Sequence, residues 1–245
     1  MCDPTASERL VSFGLGRLEF GAEQIPGRPR FLFQVVIEGL ENLEVIFSVG
    51  AGFDHLLACP TLPAGIPVVR MVEPELTAGM VEYVVFNVLR YHRRMDQYQH
   101  FQRQGVWQVL DQIPAHDTTV GIMGLGVMGV ASARVLACMN YRLLGWSRMR
   151  KTFPGLQSFV GTEELGQFLA QTWILVILLP LSRDTRKLID RDVLRQLPRG
   201  AFLINAGRGE LVNQPDLIEA LDSAQIAGAA LDVFDDEPLP SEHRF

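Results

Sequence analysis

The feature that most narrows the folds open to this chain is the segment Gly124-Leu125-Gly126-Val127-Met128-Gly129. It follows Thr119 to Met123, which reads as a strand, and opens Val127 to Met139, which reads as a helix. In a strand–turn–helix setting the three glycines have separate tasks. The first permits the tight turn, the second lets a pyrophosphate approach the backbone, and the third lets the helix pack on the strand. The helix then turns its unpaired N–H groups and the positive end of its dipole toward the phosphates. We expect Gly124, Leu125, Gly126, Val127, Met128 and Gly129 to bind a dinucleotide, the alternative being a turn with only a structural purpose.

The rest of the chain suits that setting. Beyond Thr118, strands are predicted at residues 119–123, 142–146, 174–179, 201–205 and 227–233, and helices at 127–139, 162–170, 190–196 and 214–221. These strands are almost wholly apolar, as in a parallel sheet covered on both faces. The expected class is α/β, a doubly wound parallel sheet of the Rossmann kind. Upstream, residues 45–49 and 66–69 read as short strands. A single helix from about Pro74 to Arg103 reads as a connector between two lobes. Residues 1–30 yield no assigned element. The resulting division is an incomplete, smaller α/β substrate domain at 1–84 and a dinucleotide-binding domain at 85–245.

Composition removes other classes. The net charge of −6 argues against nucleic acid or anionic membrane as a partner. Cys2, Cys59 and Cys138 have no CxxC spacing, so neither a disulfide framework nor a metal site is expected. Cys138 lies in the apolar run Val135 to Met139 and is expected in the core. Met1-Cys2-Asp3-Pro4 lacks the basic start of a secretion signal, and the apolar run Trp173 to Leu181 is too short to span a bilayer. The expected compartment is the cytoplasm.

The second strand of the sheet discriminates between cofactors. NAD-selective sites carry an acidic residue at its end, against the ribose diol. Here the strand ends Gly145-Trp146-Ser147 and continues Arg148-Met149-Arg150-Lys151, with no carboxylate. Cations at this point suit a 2′-phosphate, guanidinium forks especially. NADPH is the expected cofactor, with Ser147, Arg148, Arg150 and Lys151 near the phosphate; the alternative is a solvated basic loop.

Further motifs occur in a fixed order: Val49-Gly50-Ala51-Gly52-Phe53-Asp54, Leu179-Pro180-Leu181 with Thr185, Asn205-Ala206-Gly207-Arg208-Gly209, and Leu231-Asp232-Val233-Phe234 with Glu237-Pro238. With the glycine turn and Trp146-Ser147-Arg148, the set resembles the D-isomer-specific 2-hydroxyacid dehydrogenases, and within them the glyoxylate/hydroxypyruvate reductase A group. The likeness runs from about Leu40 to about Pro240. It implies that Arg208 binds the carboxylate and carbonyl oxygen of a small 2-oxo acid, and that Glu237 orients a catalytic histidine. It further implies that Gly50, Ala51 and Gly52 offer backbone N–H groups to the substrate carboxylate. Leu179 and Pro180 would lie under the adenosine and Asp232 near the nicotinamide amide, with Thr185 and Ala206 also among the cofactor-binding residues. A homodimer is implied as well.

The ends depart from the family pattern. Its general acid is a histidine in a Thr-Pro-His segment well downstream of the Glu-Pro pair. His243 stands too near Glu237 and lacks that context, while His55, His92, His100 and His116 lie in the wrong segments. The first strand and substrate loop of the family are not evident before Leu40. The expectation is a chain altered at both ends, with impaired turnover, or a non-catalytic NADP-binding remnant or regulatory module.

Overall fold

The computed structural model describes residues 10–13, 43–48, 52, 62–70 and 73–245. Packing divides the chain into two units, Met1–Leu76 and Thr77–Phe245. In the first, β1 (Leu10–Phe13), β2 (Val45–Ser48) and β3 (Val68–Arg70) form a parallel sheet in that order. The strand β1 falls where the sequence offered no assignable element.

Helix α1 (Pro74–His92) leads into the second unit and is followed by α2 (Met95–Gln104). The continuous helix expected from Pro74 to Arg103 is therefore broken, at Arg93 and Arg94. Arg94 is left-handed, with φ 54°. The reason is tertiary. The last turn of α1 is held to the sheet by Tyr91, which stacks on Phe202 at 4.5 Å. His92 is fixed between the Tyr141 hydroxyl (2.6 Å) and the Ile113 carbonyl (2.7 Å). None of the residues of α2 is buried, so nothing keeps it on the same axis.

The main sheet contains β4 (Thr119–Met123), β5 (Arg142–Ser147), β6 (Leu156–Val160), β7 (Ile174–Ile177), β8 (Ala201–Asn205) and β9 (Ile226–Leu231). All pairings are parallel, in the order β6-β5-β4-β7-β8-β9. Between them run α3 (Val127–Cys138), α4 (Leu165–Leu169), α5 (Arg191–Gln196) and α6 (Gln214–Asp222). This is the doubly wound Rossmann arrangement. Each face of the sheet has its own core. Val120, Ile122, Leu143, Val176 and Ile204 face Val84 and Val88 of α1 and Leu136 of α3. Met123, Leu144, Leu175, Ile177 and Leu203 face Phe168, Leu194 and Leu217 of α4, α5 and α6. Alternate residues of one strand thus enter opposite cores, which is why the strands read as unbroken apolar runs.

Two sequence expectations change here. The edge strand β6 was not anticipated: Leu156-Gln157-Ser158-Phe159-Val160 mixes polar and apolar residues, and Phe159 is the one of the five that is buried. Cys138 is exposed rather than in the core. The buried stripe of α3 is Gly129, Ser132, Ala133 and Leu136, and Cys138 falls outside it. Among the described residues no helix is long and apolar enough to cross a membrane.

Candidate active site

The carboxyl ends of five adjacent strands are tied in series by backbone hydrogen bonds. Gly124 N–H donates to the Trp146 carbonyl at 2.9 Å, and Leu178 N–H to Met123 at 2.8 Å. Ala206 N–H donates to Ile177 at 3.2 Å and Asp232 N–H to Asn205 at 3.0 Å. The chain runs outward from β4 through β5 to β6, then crosses back to β7 on the other side of β4, so the winding reverses at β4. A doubly wound sheet opens a ligand crevice at that reversal.

The three glycines of the turn differ in what requires them. Gly124 has φ +103°, and a Cβ there would meet the Leu178 carbonyl oxygen at 2.6 Å. A Cβ on Gly129 would overlap the Gly124 carbonyl oxygen. Gly126 has neither constraint: its φ is −76°, and nothing lies within 4 Å of where its Cβ would be. No side chain caps the α3 N-terminus that it begins. Neither the backbone conformation nor the packing of the fold requires a glycine here. Leu125 anchors the turn, its side chain covering Gly145 of β5, and Val127 and Met128 supply the first helical turn.

Beside the turn, Ser147 Oγ donates to the Met149 carbonyl at 2.7 Å, and Arg148 is exposed. Arg150 is engaged within the chain: Nη1 donates to the Ser158 carbonyl at 2.5 Å and Nη2 to Glu164 Oε1 at 2.6 Å. The Glu164 carboxylate also accepts the Val160 N–H at 2.7 Å. That bond, then the Arg150 guanidinium, hold its carboxyl below the usual range. Lys151 is exposed, and its N–H donates to Ser158 Oγ at 3.1 Å. On the other side of the turn Leu179 is buried and Pro180 exposed. Thr185 closes their loop, donating to the Pro180 carbonyl at 2.7 Å and accepting from Ser182 N–H at 2.8 Å.

The loop after β8 is organised by Asn205, which is 1% exposed. Its Oδ1 accepts the Gly207 N–H at 3.1 Å and its Nδ2 donates to the Arg208 carbonyl at 2.9 Å. Arg208 Nη1 donates to the Gly207 carbonyl at 2.7 Å. A Cβ on Gly209 would collide with the backbone of Phe234 and Asp235, so the Arg208 loop is pressed against the Glu237 loop. Within the latter, Glu237 Oε1 accepts the Phe234 N–H at 2.9 Å. Asp235 has its carboxyl pushed up by burial and by Glu210. Asp232 is close enough to Tyr83 of α1 that, after burial, its charge raises the phenol above its ordinary value.

The structure thus gathers Gly124 to Gly129, Ser147, Arg148, Leu179, Pro180, Ala206, Arg208, Asp232 and Glu237 around the carboxyl ends of one sheet. The model for the D-isomer specific 2-hydroxyacid dehydrogenase NAD binding domain matches residues 85–245. The chain belongs to this family. Among curated relatives, the glyoxylate/hydroxypyruvate reductase A of Citrobacter koseri is 44% identical over 212 residues, 84% of this chain and 68% of the relative. That of Salmonella paratyphi B is 43% identical over 206 residues, 82% of this chain and 66% of the relative. The chain therefore spans about two thirds of the length of these relatives. Two solved structures agree in fold. An NADPH-dependent glyoxylate/hydroxypyruvate reductase from Sinorhizobium meliloti, in complex with NADP and sulfate, has a TM-score of 0.84 at 36% identity, over 99% of this chain and 75% of that one. A D-isomer specific 2-hydroxyacid dehydrogenase from Xanthobacter autotrophicus Py2, in complex with NADPH and MES, has a TM-score of 0.81 at 41% identity, over 84% and 65% respectively.

Gly50 and Ala51 lie outside the described residues, as does His55. The Gly52 carbonyl accepts from Ser48 Oγ at 2.9 Å, within the first unit. His243 accepts the Phe245 N–H at 3.2 Å, inside the C-terminal segment. Sequence reasoning gave no role to Asn205, which stands in the motif that carries Arg208, nor to Tyr83 or Glu164. Asn205 alone had a signal, a polar residue closing an apolar strand.

Proposed function

We propose that this chain binds NADPH in preference to NADH and serves the reduction of a small 2-oxo acid of the glyoxylate or hydroxypyruvate type. The observation behind this reading is Gly126, whose missing side chain leaves an open surface at an uncapped helix N-terminus, one strand away from Arg148. When bound, the nicotinamide supplies the hydride. The protein's part is to hold the pyrophosphate on Gly124 to Gly129 and the 2′-phosphate at Arg148 and Lys151. Arg208 fixes the substrate carboxylate and carbonyl oxygen, and Glu237 orients the proton donor. Names of relatives support the substrate class. Calorimetric titration tests the cofactor: Arg148→Ala should weaken NADPH by about 1.5–3 kcal/mol, the scale of a lost charged hydrogen bond, and leave NADH unchanged. Equal affinity of the native chain for both cofactors would overturn the preference.

The proposal includes a homodimer. After α2, residues Val106, Trp107 and Val109 project with Trp107 96% and Val109 81% exposed. The segment is tied back to α2 by the Leu110 N–H donating to the Tyr98 hydroxyl at 3.0 Å. A fixed arm bearing an uncovered indole suits insertion into a second copy, since buried aromatic anchors dominate such interfaces. Light scattering after size exclusion should show a dimer that Trp107→Ser shifts toward monomer; a native monomer would refute this.

A further inference from the structure

Arg148-Met149-Arg150-Lys151 appears in sequence as one basic cluster, yet the structure separates its members. Arg148 is exposed beyond the end of β5. Arg150 turns its fork the other way, bridging the Ser158 carbonyl on β6 and the Glu164 carboxylate at the start of α4. Glu164 in turn accepts the N–H of Val160, the residue paired with Ser147 across the two strands. Ser158 Oγ accepts the Lys151 N–H, and Trp146 Nε1 donates to the Gly161 carbonyl at 2.8 Å. The segment that follows Arg148 is therefore fastened to β6 and the start of α4 through Arg150 and Lys151, and β5 itself to the turn after β6 through Trp146. Gly155, with φ +80°, lies in the connection between them.

We propose that Glu164 and Arg150 are positioning residues for 2′-phosphate recognition: they pin the segment between β5 and β6 so that Arg148 and Lys151 meet the phosphate, which Arg150 itself does not touch. This rests on the NADPH reading above and deepens it. The physical case is one of preorganisation. A flexible basic loop must be ordered when an anion binds, at an entropic cost that weakens binding. A planar guanidinium held at two of its nitrogens removes that freedom beforehand. Arg150 also covers the Glu164 carboxylate, a charge that would otherwise repel an incoming phosphate.

The two accounts of Arg150 differ in the sign of one result. If the cluster acted by charge alone, Glu164→Gln would remove a negative charge, release Arg150 and strengthen phosphate binding. If Glu164 is a pin, the same change weakens it. The probes are 2′,5′-ADP and 5′-AMP, which differ only in the 2′-phosphate, titrated calorimetrically into the full chain beside NADPH and NADH. We expect Glu164→Gln to lose about tenfold in affinity for 2′,5′-ADP and NADPH, with 5′-AMP and NADH unchanged. Arg150→Lys keeps the charge but not the fork, and should lose a similar factor. It is the second arm should Glu164→Gln fold poorly, since the Val160 N–H then keeps its carboxylate partner. Unchanged or tighter 2′,5′-ADP binding in either folded variant would overturn the inference. Equal weakening of 5′-AMP would also overturn it, since that marks general damage to the domain. A native chain that fails to distinguish NADPH from NADH would instead refute the underlying cofactor reading.

Discussion

Gly129→Ala should destabilise the second unit severely, while Gly126→Ala, three residues away, should leave its stability within about 1 kcal/mol of the native value and reduce NADPH binding instead. At Gly129 the new methyl would overlap the Gly124 carbonyl oxygen, a backbone atom in a turn already crowded against the Leu178 carbonyl. Relief requires lifting α3 away from β4, which separates Leu136 from Val120 and Ile122. Overpacking costs about 1–3 kcal/mol where side chains can shift, and a collision between two backbone segments belongs at the upper end or beyond. With about 2–4 °C lost per kcal/mol in a domain of this size, the melting midpoint should fall by roughly 10 °C. At Gly126 the backbone suits any residue and the space is open. On the proposed reading the methyl would stand only where the pyrophosphate is to rest, raising the NADPH Kd at least about tenfold, or 1.4 kcal/mol. Thermal melting and calorimetry of both variants decide the matter. A Gly126→Ala protein with native NADPH affinity would show that the pyrophosphate does not lie on this turn.

The contrast between these glycines shows what was legible in the sequence. Spacing alone gave them their three tasks, and the geometry keeps the tasks apart. Strands at 119–123 and 201–205 were readable to the residue, because burial on both faces leaves an unbroken apolar run with sharp ends. Legibility failed where one tertiary contact decides the outcome. The α1–α2 break has no glycine or cap to announce it; it follows from Tyr91 and His92 being held to the sheet while α2 is not. The edge strand β6 has too mixed a pattern to read as buried, and overlooking it hid the partner of Arg150. Glu164, fourteen residues away in sequence, reaches Arg150 only because β6 lies against β5. The three cations therefore read as equivalent when their surroundings make them different. Asn205 is the converse case: a buried amide at a strand end is visible in sequence, but its bonds to Gly207 and Arg208 require the folded loop.

That loop sets up the largest functional effect expected. Arg208 is extended, with φ −144° and ψ 147°, between a residue fixed by Asn205 and a glycine pressed onto the Phe234–Asp235 backbone. Its main chain therefore has little freedom to adjust to a substitution. In the proposed role the guanidinium meets a planar carboxylate and carbonyl through two parallel N–H donors, a geometry that a lysine ammonium cannot reproduce. Oxamate, an unreactive likeness of a small 2-oxo acid, allows this to be measured as binding in the presence of NADPH, without turnover. Arg208→Gln should weaken oxamate by about 2–5 kcal/mol, the range for removing one partner of a hydrogen-bonded charge pair. Arg208→Lys should recover less than half of that loss, since the charge returns without the fork. NADPH affinity should be unchanged in both, because the cofactor's phosphates are assigned to Gly124–Gly129 and Arg148. If Arg208→Lys bound oxamate as the native chain does, position 208 would supply charge only, and the assignment of a bidentate substrate anchor would fail. If both variants lost NADPH as well, the residue would be holding the loop after β8 together, and the substrate carboxylate would have to be sought at another cation.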